Sequence, residues 1–371
     1  MKVLFLSENY YNDEYANITG SIYQSYLIAK YISEKNLKVV YVSLSKKERS
    51  FKENENFEVF LIKERNNIFL NFLNVLKFVK KLDFDIVYTR GRSYLVFIAY
   101  LTGKPYIFNS NAQEGLRKFK HISKLFFSKR NLLKKLILFF PFLIIDFLVQ
   151  IGIKHSKLII VQNEYQKEEA KRIWKKDAII IPNLQFKVNT YPQKIEKIVI
   201  WVGVITKWKQ PELFLEIAKK LKNYKFKMIG YGDLNLIKGY EKLENFEFLG
   251  KLKNEDVNKE LEKSWIILNT SISIGEGISN AIIQAMMRGN VPICLNDDYS
   301  ILEKYKVGFF VKSINEMLEK IKYLFENEEV FFEYSKRAFE FANDYFDYEK
   351  NGQKYLNCLK SLLPHLNYYQ F

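Results

Sequence analysis

The sequence predicts an α/β protein built from two doubly wound domains, and three observations carry that prediction. The chain is 371 residues long, and at roughly 150 residues per domain that length holds two cores. Short apolar runs alternate with amphipathic stretches in both halves, as strands and helices do in parallel sheets. Between the halves, Pro182–Asn183 opens a polar stretch to Glu196 with no hydrophobic period, and such a stretch reads as a domain boundary.

The elements follow in order. Lys2 to Ser7 is an apolar run suited to a buried strand, Ser21 to Ser33 has apolar residues at helical spacing, and Leu37 to Leu44 returns as a strand. This is a βαβ unit, with a right-handed crossover and parallel strands. Asn66 to Lys81 reads as a helix, Asp85 to Tyr88 as a strand, Tyr94 to Thr102 as a helix and Tyr106 to Phe108 as a strand. Leu158 to Val161, Glu164 to Trp174 and Ala178 to Ile181 close the half as strand, helix and strand. The second half restarts with a strand at Lys197 to Val204 and a helix at Glu212 to Leu221. Phe226 to Ile229 is the next strand, then a helix at Glu255 to Ser264 and a strand at Ile266 to Asn269. Asn280 to Arg288 is a helix, Val291 to Leu295 a strand, and the tail from Ile314 is mostly helical.

Composition narrows the class. Apolar residues make up 48% and charged residues 27% of the chain, which excludes a disordered or fibrous protein. Cys294 and Cys358 lie among apolar residues and are expected to be buried thiols in a reducing compartment. His121, His155 and His365 are far apart, so no metal site is expected. The N-terminal residues turn acidic before an apolar signal region develops, so a signal peptide is not expected. The most apolar run, Leu136 to Ile145, is ten residues long and contains Pro141. Against the about 20 residues of a spanning helix, that run predicts no membrane crossing. There are 58 Lys and Arg against 42 Asp and Glu, a formal charge of +16. Such a surplus suits nucleic acid, an anionic membrane or a phosphate-bearing ligand.

The stretch SISIGEGISNAIIQAMMRGNVPIC, from Ser271 to Cys294, is the most informative. It reads as a strand end, a glycine-containing loop and a helix opening at Ser279, a suitable N-cap. The N–H groups of Gly277, Ile278, Ser279 and Asn280 would point out of that helix start, an arrangement that suits a phosphate. Glu276 stands immediately before it, and Gln284 lies eight residues further on.

Here the chain resembles the retaining glycosyltransferases of family 4, whose pattern is a Glu, seven residues and a second Glu. It matches at Ser271, Glu276, Gly277, Ser279, Asn280, Ala285, Met286, Gly289 and Pro292, and departs at Gln284. The resemblance implies the GT-B fold, two Rossmann-like domains facing across a cleft. It implies that Glu276 lies by the donor sugar and that Gln284 stands where a Glu binds the nucleotide ribose. A glutamine has one accepting terminal atom where a carboxylate has two.

WVGVITKWKQPELFLEIAKKL (Trp201 to Leu221), with KFKMIGYGD ending at Asp233, is similar to the family's diphosphate-binding segment. That similarity implies a role for Lys209, and for Lys207 beside it, in neutralising the diphosphate as it leaves. Gly203 matches the family's glycine, whereas Val204 occupies the position of its arginine. Gly20 stands at the family's N-terminal glycine loop, and Leu252 belongs to a further short match, Gly250 to Leu252. Arg90 and Asn111 are assigned to the acceptor side, Asn111 standing where relatives carry a histidine; Arg92 is a second candidate for facing the acceptor. The implied organisation is residues 1–185 as the acceptor-side domain, 186–345 as the nucleotide-sugar domain, and 346–371 as a helix packing back towards the first.

One stretch stands apart. From Gly115 to Ile145 there is no Asp or Glu, while Arg117, Lys118, Lys120, Lys124, Lys129, Arg130, Lys134 and Lys135 all fall within it. Phe119, Ile122, Phe126, Leu133, Ile137 and Phe140 recur at spacings that keep to one helical face. A basic helix with an apolar face is the pattern of an in-plane membrane helix. No zinc module, helix-turn-helix or aromatic–glycine platform is found, and a nucleic-acid partner is not expected.

The expectation is therefore a retaining, metal-independent glycosyltransferase of cell-surface polysaccharide synthesis. It would take a nucleoside diphosphate sugar as co-substrate, with no other cofactor, and a glycan or lipid-linked acceptor. It would be cytoplasmic, peripheral on the inner face of the membrane through residues 115–145. The departures at Val204, Gln284 and Asn111 leave open a non-catalytic glycan- or membrane-binding descendant of the same fold. A sugar-nucleotide epimerase on this fold would need more titrating groups than three histidines provide.

Overall fold

The computed structural model describes the chain apart from residues 17–18, 129–130, 195, 241, 272–277, 296–299 and 364–371. The described residues form two compact units, Met1–Leu184 with the segment from Tyr348 onward, and Gln185–Asp347. Each is an α/β unit on a largely parallel sheet.

The first unit begins β1 (Lys2–Leu6), α1 (Gly20–Glu34), β2 (Lys38–Ser45), β3 (Arg49–Asn54) and β4 (Phe57–Lys63). It continues α2 (Ile68–Val79), β5 (Ile86–Arg90), α3 (Leu95–Leu101) and β6 (Tyr106–Asn109). Next come α4 (Lys120–Phe126), α5 (Leu132–His155), β7 (Leu158–Val161), α6 (Glu164–Trp174) and β8 (Ala178–Ile180). The sheet order is β3-β4-β2-β1-β5-β6-β7-β8. The central strands are buried on both faces, as parallel strands covered by helices must be; seven of the eight β2 residues are buried. One face packs Phe5, Tyr41 and Tyr88 with α1, and the other packs Leu4, Val40 and Val87 with α2, α3 and α5.

The edge departs from the expected pattern. β3 pairs antiparallel with β4 in a hairpin that the alternation of strand and helix did not suggest. Arg49, Lys52 and Glu53 make β3 read as a polar loop, yet charged residues are what protects an exposed edge strand.

The acid-free stretch also differs from expectation. Its apolar residues do not share one helix: α4 and α5 divide them. α5 runs for 24 residues through Pro141 and past Asp146, so the helix extends beyond the ten-residue apolar run at both ends. By length and composition α5 is sufficient to cross a bilayer, although its inner residues pack within the unit. The helix continues because Asp146 is paired inside the fold: its Oδ1 lies 2.9 Å from Arg92 Nη2 and 2.8 Å from His121 Nδ1.

The second unit begins β9 (Ile198–Ile205), α7 (Pro211–Lys220), β10 (Lys225–Gly232), β11 (Phe246–Gly250), α8 (Asn254–Lys263) and β12 (Ile266–Asn269). It continues α9 (Asn280–Met286), β13 (Val291–Cys294), α10 (Ser300–Lys304), β14 (Phe309–Phe310), α11 (Ile314–Glu326) and α12 (Glu328–Tyr345). The sheet order is β11-β10-β9-β12-β13-β14, and the paired strands are parallel. Phe214, Phe226, Trp265 and Phe331 anchor one face of its core. The last helix, α13 (Tyr348–Ser361), belongs to the first unit, where Tyr355 and Leu359 pack with Tyr31 and Tyr88. Both cysteines are buried free thiols.

Candidate functional site

The second unit has its topological switch beside β9. The chain builds β10 and β11 on one side of β9, then places β12, β13 and β14 on the other. In such a sheet the crevice at the carboxyl ends of the two strands flanking the switch is where ligands bind. Here those strands are β9 and β12.

Gly203 lies near the end of β9, in register with Gly230 of β10. A Cβ on Gly230 would fall well inside van der Waals contact with the Gly203 carbonyl oxygen. These two strand ends therefore approach as closely as glycine permits.

The loop after β9 is tied to the end of β12. Trp201 Nε1 donates to Thr270 Oγ1 at 3.1 Å, and that hydroxyl donates to the Lys209 carbonyl at 2.8 Å. Lys209 N–H donates to the Thr206 carbonyl at 3.0 Å, closing the loop on itself. Thr270 and Trp201 are buried, so the Thr270 hydroxyl and the indole N–H take their partners from within the fold. The Lys209 ammonium lies 4.3 Å from the centre of the Trp208 ring, a favourable cation–π approach. Lys207 stands on the same loop with its side chain exposed.

On the other side of the switch, Ser279 caps α9 and accepts from Ile282 N–H at 3.3 Å. Asn280 accepts from the Gln185 side chain at 3.4 Å. Ile278 and Leu252 are half-buried and pack against the core under α9. Gln284 is buried and donates to Asn254 Oδ1 at 3.0 Å, at the first residue of α8. α9 is seven residues long, so its N-terminus has a short run of aligned dipoles behind it. Glu276 and Gly277 lie outside the described residues.

The remaining sequence-assigned residues belong to the first unit. Gly20 is the first residue of α1, directly after Thr19, whose side chain makes no capping bond. Asn111 follows β6, and its carbonyl accepts from Gln162 at 3.2 Å. Arg90 ends β5 with its guanidinium buried. It donates to Asn183 Oδ1 at 2.8 Å and to Tyr355 Oη of α13 at 3.5 Å. The fold thus uses Arg90 internally, because α13 covers the end of β5. Arg92 is likewise drawn inside, by Asp146.

Sequence reading did not find Thr270, Trp201 or Asn254. Only the position of Thr270, next to the end of an apolar strand, could have signalled it.

Comparison with known proteins fits this construction. Residues 185–342 match the family model of the glycosyl transferases group 1. No curated protein matches the chain. Among solved structures, sucrose-phosphate synthase from Thermosynechococcus elongatus is similar with a TM-score of 0.77 at 12% identity, covering 98% of this chain and 99% of that one. Anabaena HepE in complex with UDP and glucose gives 0.68 at 13% identity over 97% and 100%. WaaG, a glycosyltransferase involved in lipopolysaccharide biosynthesis, gives 0.70 at 11% identity over 94% and 98%. The chain has the GT-B fold of glycosyltransferases, and its second unit matches the group 1 glycosyl transferases.

Proposed function

We propose that this protein is a retaining glycosyltransferase of family 4 that moves a sugar from a nucleoside diphosphate sugar to a glycan or lipid-linked acceptor. The observation that carries the reading is the bracing of the Lys209 loop by Thr270 at the switch point of β9 and β12. The group 1 family model covers the whole of that region.

Transfer breaks the bond from the anomeric carbon to the distal phosphate oxygen and forms one to an acceptor hydroxyl, whose proton is released. The departing diphosphate gains a negative charge, so fixed cations there lower the barrier. Lys209 supplies one, held to a defined position by its own loop, and Lys207 supplies a second from the exposed side. Gly203 and Gly230 let the β9 and β10 ends close up on each other beside that loop. On the sequence resemblance, Glu276 contacts the donor sugar and Gln284 the nucleotide ribose. With lysines opposing the leaving charge, the reaction is assigned no divalent cation. The similarity to WaaG supports an acceptor in cell-surface polysaccharide synthesis.

The test is a panel of nucleoside diphosphate sugars measured by calorimetry and by product analysis. Binding with turnover, and a product that keeps the donor's anomeric configuration, is expected. An inverted product contradicts the retaining assignment. Binding without turnover supports the non-catalytic descendant instead.

A further inference from the structure

α5 presents opposite chemistry on its two sides. Its inner side is fixed to the first unit: Asp146, Val149, Gly152 and Ile153 are buried. Gly152 accepts from the Tyr106 hydroxyl at 2.6 Å, and a Cβ there would lie 2.7 Å from the Val96 backbone. Asp146 pairs with Arg92 and His121 and accepts from Ile122 N–H at 3.0 Å.

The outer side carries Leu133, Leu136, Ile137, Phe140, Ile144 and Phe147, each more than half exposed. Their spacings of three, one, three, four and three residues place them on one helical face. At 1.5 Å per residue the stripe is about 21 Å long. A helix on a water-facing surface puts polar residues there, and an apolar area of this extent marks an interaction surface. Phe126 and Phe127, at the end of α4, are also exposed, at 61% and 89%.

Three covers fit such a face, and the surrounding charge separates them. Residues 115–145 hold eight basic side chains and no acidic one. A second copy docked through this face would bring the same basic stretch against itself, with like charges opposed. A transmembrane path would pull Asp146 away from Arg92, leaving two charges without partners in a low dielectric. An anionic lipid surface meets both requirements: acyl chains cover the stripe, and headgroup phosphates face Lys134 and Lys135 on the first turn of α5.

We infer that α5, with the end of α4, is an in-plane membrane-docking element that inserts its outer stripe among anionic lipids while its inner side stays packed in the first unit. This inference does not depend on the glycosyl-transfer reading.

The experiment is flotation of the full-length protein with vesicles of phosphatidylcholine alone and of phosphatidylcholine mixed with phosphatidylglycerol. Light scattering and thermal melts accompany it. Strong binding to the mixed vesicles and weak binding to the neutral ones are expected. Lys134→Ala with Lys135→Ala should lower the partition coefficient roughly thirtyfold, from two charges at about 1 kcal/mol each. Leu136→Ser with Phe140→Ser should abolish binding without moving the melting temperature, because both side chains are exposed. Equal binding to both vesicles, no binding to either, or unaltered binding by the serine variant overturns the inference. A dimer that the serine variant dissociates also overturns it, in favour of a second copy. Donor hydrolysis measured without vesicles should be unchanged in all variants, which separates failure here from failure of the proposed activity.

Discussion

The hydroxyl of Thr270 donates to the carbonyl of Lys209 at 2.8 Å, so the residue after β12 fixes the loop after β9. These residues are 61 positions apart in the chain, yet they follow the carboxyl ends of the two strands that flank the switch point. Thr270→Val removes both of its bonds and strands the buried Trp201 N–H. It is expected to cost about 2 kcal/mol of stability and to lower donor turnover by roughly tenfold or more, through displacement of Lys209. Thr270→Ser, which keeps the hydroxyl, should recover most of the turnover. Steady-state kinetics and thermal melts on the two variants check this.

Gly230 makes the neighbouring prediction. A side chain there collides with the Gly203 carbonyl, backbone that can give way only by separating β9 from β10. Gly230→Ala should destabilise the protein by about 3 kcal/mol and raise the donor KM. A melt with an unchanged midpoint would show that the two strand ends have room to move.

Asp146 gives a pH dependence. Burial raises its carboxyl pKa, but bonds from His121, the Ile122 N–H and Arg92 outweigh that and hold it below the usual carboxylate range. With the folded value lowered, its contribution to stability is complete above the unfolded pKa and is lost as pH falls through the folded one. Asp146→Ala should cost about 3–5 kcal/mol at neutral pH by leaving Arg92 buried without its partner. Asp146→Asn should flatten the loss of stability below about pH 4, where an ordinary aspartate titrates. Melting temperatures across an acid series measure both.

Gln284 tests the departure from the family's pattern. Its amide donates to Asn254 at 3.0 Å, which leaves one accepting oxygen for a ribose. Gln284→Glu supplies a second acceptor and a charge, and Asn254 can turn its amide to donate. The expected result is a donor KM lower by about tenfold with kcat little changed.

Much of this was legible in the sequence. β9, β12 and β13 were readable because they are apolar runs, and α7, α8 and α9 because they keep an amphipathic period; β11, five residues with Glu247 inside, was not read as a strand. Ser279 showed itself as a cap for the same local reason. β3 was not readable, since its charges imitate a loop, whereas β4 is an alternating apolar run whose strand signal the reading passed over. α5 was cut short in the reading because Lys134 and Lys135 precede its apolar run and Asp146 ends it, a charge that looks like a terminus when its packing partners are unknown. Arg90 gave no sign that Asn183 and Tyr355 would enclose it. Thr270 and Asn254 act through partners 61 and 30 residues away, and no local pattern encodes such pairings.

The most direct measurement is the rate of sugar transfer or donor hydrolysis by the wild type, Lys209→Ala and Glu276→Ala with a donor that binds. A fixed cation opposing a developing charge is worth roughly a hundredfold or more in kcat. The account predicts a loss of that order for Lys209→Ala and a comparable or larger loss for Glu276→Ala, with both variants folded. Rates unchanged in both would contradict it.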